Sequence, residues 1–178
     1  MVRVRLLAAA ALMGLLSACA PSLGPPPPGA VAPARPGVPT FRASEFEWSQ
    51  QPGTGAIVGH LAFTRQGARY TCKGDSVILT PETPWSKLRM EVLYLSSERA
   101  ALPTDQVRAR TAEAPPGDST PFIKRVTCDA ANRFSFVRLP AGAWYVITIA
   151  KPVNGGGPSF AVMKRVETHA GKVTTVGL

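Results

Sequence analysis

The chain of 178 residues carries 20 Lys and Arg against 11 Asp and Glu, with two histidines and three cysteines. So few histidines, without an acidic cluster, exclude most multi-histidine metal sites, and one apolar run alone is long enough to concern a membrane. Setting aside an 18-residue leader and a 22-residue proline-rich stretch leaves 138 residues with 17 basic and 11 acidic side chains, a net of +6. That is one ordinary domain, large enough to bury about two-thirds of its unfolded surface.

Residues 1–18 read as a secretory signal: Arg3 and Arg5, the apolar run Leu6 to Leu16, then small residues before Cys19. The run falls well short of the ~20 residues a helix needs to cross a bilayer, and Pro21 and Pro25 to Pro28 stop it from continuing. Leu16-Ser17-Ala18-Cys19 resembles the bacterial lipobox. The resemblance implies diacylglycerol on the Cys19 thiol, cleavage before it and acylation of the new amino-terminus. Two or three acyl chains hold a protein where one holds it only marginally. By the same resemblance, Ala20 rather than Asp favours export to the outer membrane.

Residues 19–40 are expected to form a lipidated, proline-rich tether. Residues 20–40 hold eight prolines and a single charge, Arg35, a composition that buries no core and runs extended. At about 3.1 Å per residue it reaches at most roughly 65 Å.

From residue 41 to 178 the pattern is that of short strands broken by Gly, Pro, Asn and Asp. Strands are predicted at Ala56–Phe63, Asp75–Thr80, Phe122–Cys128, Arg133–Arg138, Trp144–Ala150, Phe160–Glu167 and Lys172–Leu178. Ile57, Gly59, Leu61 and Phe63 share one face of the first, which turns His60 away from the core; Tyr145, Ile147 and Ile149 are the expected core face of the fifth. Seven short strands with little helix predict an all-β, seven-stranded antiparallel β-sandwich. Trp85–Leu95 is ambiguous by period: Thr83 as a cap, Pro84 as first residue and a Trp85, Leu88, Val92 stripe favour a short helix. Residues 99–121, rich in Arg, Ala, Pro and Thr, are predicted to be a long loop.

The blocks Gly55 to Gly59, Asp75 to Leu79, Thr127 to Phe136, Leu139 to Ile147 and Ala170 to Val176 resemble the carboxypeptidase regulatory-like domain. That resemblance implies a prealbumin (transthyretin)-like sandwich over Gly55–Leu178 with an insertion at about 81–121. It assigns Asp129 to Asn132 a hairpin turn, Pro140 and Gly142 a tight bend, and Tyr145 the plug of the sandwich end. Asn132 stands where the family has glycine, and asparagine tolerates the positive φ such a turn demands.

With Cys19 lipidated, Cys72 and Cys128 remain as an even pair in an oxidising periplasm, which points to a disulfide; the alternative is two small thiols packed in the core. No catalytic constellation is legible. His60 and His169 stand alone, no Gly-x-Ser-x-Gly occurs, and Gly171-Lys172 lacks the rest of a phosphate loop. The Thr-Val-Gly-Leu ending lacks the Tyr-Arg-Gly-Ser tail of transthyretin-like hydroxyisourate hydrolases. No cofactor is expected. Lys124-Arg125 and Lys164-Arg165 suit anionic headgroups or cell-wall polymers better than nucleic acid, given export. Trp144 is predicted to face outward and join a sugar-binding or protein-binding patch, unless the insertion covers it.

The reading is thus a non-enzymatic envelope lipoprotein, its partners the membrane lipid at Cys19 and an envelope protein or cell-wall glycan. A component of a secretion or surface-assembly machine and a carbohydrate-binding module are the alternatives.

Overall fold

The computed structural model describes residues 37–178. Two β-sheets pack face to face, and short helices cover the outer side of the larger one. The predicted signal, Cys19 and most of the tether lie outside the described residues.

The smaller sheet has β1 (Gly55–His60) at its centre, with β10 (Val173–Gly177) on one side and β7 (Arg133–Leu139) on the other. Ile57 and Gly59 point inward while Val58 and His60 are exposed, the alternation expected of a half-buried strand. Gly59 is required by a close approach: a Cβ there would come within 2.0 Å of the Phe134 ring. The β1–β10 pair is parallel, unlike every other pair among the described residues, so the sandwich is not wholly antiparallel.

In the larger sheet, β8 (Gly142–Pro152) lies between β9 (Phe160–Thr168) and β4 (Ser76–Pro81). β6 (Lys124–Thr127) extends the sheet beyond β4, and β5 (Arg99–Pro103) extends it beyond β9. At the far end of β8, β3 (Ala68–Thr71) pairs with Thr71 opposite Lys151, and β2 (Thr64–Arg65) pairs with β3. Gln66 and Gly67 join those two strands at φ 50° and 78°, the left-handed pair of a two-residue hairpin.

All seven predicted strands are present, and β2, β3 and β5 bring the count among the described residues to ten. The expected loop over 99–121 in fact contains β5, the helix α2 (Thr104–Ala109) and two short 3-10 turns. Ala100 and Ala101 have weak strand propensity, and β5 exists because β9 offers it a ladder.

β8 carries the main correction. Trp144, Val146, Thr148 and Ala150 face the space between the sheets, whereas Tyr145, Ile147 and Ile149 lie under the helices with Met90, Leu93 and Tyr94. Tyr145 is therefore not the plug of the sandwich end. A strand covered on both faces reads as a continuous apolar run, and alternation then cannot tell which face meets which layer.

α1 (Pro84–Tyr94) begins as predicted: Thr83 accepts from Ser86 N, Ser86 Oγ accepts from Thr83 N at 2.8 Å, and Pro84 opens the first turn. Its buried side is Trp85, Ser86, Met90, Leu93 and Tyr94, while Leu88 and Val92 of the predicted stripe are half exposed. The helix lies on an already apolar sheet, so its buried stripe follows the local groove. The turn at Asp129–Asn132 forms, with Asp129 Oδ1 accepting from the backbone N–H of Ala131 and Arg133 at 2.8 and 2.7 Å. It joins β6 of one sheet to β7 of the other, an arch rather than a hairpin.

Candidate functional site

The feature best suited to hold a ligand arises from a mismatch in sheet width. β10, one of the two edge strands of the smaller sheet, packs on β9: Lys164 Nζ donates to Gly177 O at 3.0 Å and Thr174 Oγ1 donates to Glu167 O at 2.8 Å. β5 lies one strand further out and projects past β10 as a ledge. Beneath it runs an open groove of about 410 Å³, lined by Arg99, Ala101, Val162, Lys164, Phe63 and Leu178 among others. That volume falls within the range of about 300–1,000 Å³ typical of small-ligand sites.

The chemistry of the groove follows from strand parity. Phe160, Val162 and Val166 of β9 belong to the core between the sheets, so Lys164 shares their face. Arg99 lies directly opposite Lys164 in the β5–β9 ladder and projects to that same face, beside Ala101 opposite Val162. Two cations thus meet over an apolar floor, and the anion nearest them is the terminal carboxylate of Leu178, which accepts from Ala62 N at 2.9 Å and forms no ion pair with either.

The basic pairs noticed in the sequence form no patch, because neighbours on a strand point to opposite faces. Lys164 enters the groove, whereas Arg165 turns to the helix side and forms ion pairs with Glu82 and, at 2.8 Å, with Glu167. Hydrogen bonds to Glu82 first and Glu167 second hold the Arg165 guanidinium above its usual range. Tyr145 is buried beside this pair and its hydroxyl makes no hydrogen bond among the described residues; burial, then the charge of Glu82, raises its pKa. Burial pushes Tyr94 up to about 12 and lowers Arg89, whose guanidinium lies over Trp85 and donates to Pro115 O at 2.9 Å.

Trp144 is fully buried, contrary to the sequence expectation. Its indole N–H donates to Thr168 Oγ1 at 3.0 Å, and Trp48, from a 3-10 turn at Glu47–Gln50, packs edge-on against it with ring centroids 4.9 Å apart. The cover comes from the residues that precede β1, not from the 81–121 insertion. Trp144 is therefore a core residue and no ligand platform. Cys72 and Cys128 form a disulfide with Cα atoms 5.7 Å apart. Asn132, at φ 60°, reinforces it by accepting from Thr71 Oγ1 at 2.6 Å and from Cys72 N at 3.1 Å. His60 and His169 are exposed, and among the described residues no three His, Cys, Asp or Glu side chains gather as metal ligands. Nor is any helix among them long and apolar enough to cross a membrane. The sequence carries one signal for the groove, Lys164 among Phe160, Val162 and Val166 on the core-facing side of its strand.

No family model and no curated protein matches the chain. Among solved structures it is similar to a Pseudomonas aeruginosa protein described provisionally as carbohydrate binding. The TM-score is 0.56 at 21% identity, covering 79% of this chain and 98% of that one. At that identity the likeness concerns the fold alone.

Proposed function

We propose that this protein is a non-enzymatic carbohydrate-binding module, anchored at the bacterial envelope through an acylated Cys19. The observation that carries the binding half is the groove under β5, where polar side chains converge on an apolar floor of Ala101 and Val162. Sugars offer both kinds of surface, hydroxyls at the ring edge and C–H groups on its faces, and a shallow open groove admits a polymer from the side. What the Pseudomonas aeruginosa neighbour is described as binding supports the same ligand class. The Cys72–Cys128 bond fits an oxidising compartment such as the periplasm.

The two halves are tested separately. Metabolic palmitate labelling and fractionation of the native protein against Cys19→Ser test the anchor: label in the membrane fraction, lost in the variant, is expected, and an unlabelled native protein removes the anchoring claim. Glycan-array binding by the native protein against Ala101→Glu, which fills and charges the groove floor, tests the module. Binding unchanged by Ala101→Glu moves the site elsewhere on the sandwich.

A further inference from the structure

We infer that the groove under β5 selects an acidic glycan, one bearing carboxylate groups, with Arg99 and Lys164 as the residues that read the charge. The inference rests on the carbohydrate-binding reading above and names the substrate class of that site. Residues directly opposite in an antiparallel ladder hold their Cβ atoms about 4.5–5.5 Å apart, and like charges so placed destabilise the pair. Arg99 and Lys164 are such a pair. Lys164 directs its ammonium at Gly177 O, while the Arg99 guanidinium makes no hydrogen bond within the described protein. The groove thus holds an exposed guanidinium with no partner among the described residues next to a second cation, while the Leu178 carboxylate is held on Ala62 N, and an anion between the two cations relieves their repulsion and meets both.

The geometry favours a carboxylate on a sugar over a bare anion. Arginine's planar fork accepts a carboxylate in bidentate fashion, and the lysine adds a flexible point charge. Ala101, Val162 and the half-buried Phe63 beside them give the apolar face of a ring a surface to rest on, which a small inorganic anion leaves unused. Inward-pointing charge on an edge strand also discourages strand-to-strand aggregation, a role that demands no ligand. The two roles predict different consequences of removing the charges.

The test is titration calorimetry on the native protein purified from membranes in detergent, with oligogalacturonates and malto-oligosaccharides of equal length as the acidic and neutral probes. Inorganic phosphate serves as a further arm, and phosphatidylglycerol vesicles are titrated without detergent into Cys19→Ser protein, so that neither acyl chains nor micelles decide the outcome. Native protein is compared with Arg99→Gln, Lys164→Gln and the double variant, each checked for unchanged melting and oligomeric state. The acidic probe is expected to bind, to weaken at least tenfold in the double variant, and to lose affinity as salt rises from 50 to 500 mM. Neutral sugar binding as tightly, insensitive to both substitutions, overturns the acidic assignment and leaves the carbohydrate-binding reading standing. Vesicle or phosphate binding through Arg99 and Lys164 with no sugar bound overturns both. Aggregation of the variants without any change in binding assigns the two cations to edge protection and overturns the inference.

Discussion

Trp48 lies edge-on against Trp144, ring centroids 4.9 Å apart, so a residue that precedes the first strand closes the end of the core between the two sheets. The approach is close enough that the neighbouring backbone must be glycine, since a Cβ on Gly142 would fall 2.3 Å from the Trp48 ring. Trp144 is fully buried and hydrogen-bonded to Thr168, which in turn donates to Pro140 O at 2.7 Å.

Trp144→Ala is therefore expected to lower stability by about 3–5 kcal/mol, and Trp48→Ala, from a half-buried position, by about 2–3 kcal/mol. Urea denaturation measures both. Because the two rings share one contact, the double variant should lose less than the sum, by at least about 0.5 kcal/mol. Strict additivity of the two losses would show that Trp48 does not cover Trp144 in solution.

The Cys72–Cys128 bond closes a loop between residues 56 positions apart and ties β3 to the end of β6. Loop-closure entropy of that length corresponds to about 4 kcal/mol. The Cys72→Ala, Cys128→Ala double variant is expected to lose about 3–4 kcal/mol in denaturant titration yet to keep its native circular dichroism. Asn132 still bonds Thr71 and the Cys72 backbone without the sulfurs, which keeps β3 docked. A loss below about 1 kcal/mol would mean that the unfolded chain is already confined across this loop.

The residues that specify a backbone conformation or a single covered face were legible in the sequence. Thr83 and Pro84 start α1 where their capping chemistry places it, Asn132 takes the positive φ its turn demands, and Ile57 and Gly59 point inward from a half-buried strand. What failed did so where a third layer hides the period. With helices on one side of β8 and the small sheet on the other, Tyr145 and Trp144 are equally apolar and equally buried, and only the tertiary arrangement separates them. β5 escaped notice because its stability lies in its pairing with β9 rather than in its own residues. The groove is a step further from the sequence still, since it depends on how far one sheet edge extends past the other.

Tyr145 ties this helix-covered face to pH. An unfolded phenol titrates near pH 10, whereas burial pushes Tyr94 up to about 12 and burial with the Glu82 charge raises Tyr145 as well. Below pH 10 both rings are protonated whether folded or not, and stability has no slope from them. Above it the unfolded chain sheds protons that the folded state retains, so stability falls as pH rises, by up to about 1.4 kcal/mol per pH unit for each tyrosine. Tyr145→Phe removes one of the two contributions and should roughly halve the tyrosine part of the slope between pH 10 and 11.5, followed by urea denaturation across that range. At pH 7 the same substitution removes a buried hydroxyl that has no hydrogen-bond partner, so stability should hold or rise by up to about 1 kcal/mol. A loss of more than about 2 kcal/mol at neutral pH would show that this hydroxyl is held by the Glu82 carboxylate in solution, and the interior under the helices would then be an extended ion-pair network rather than an apolar layer beside one.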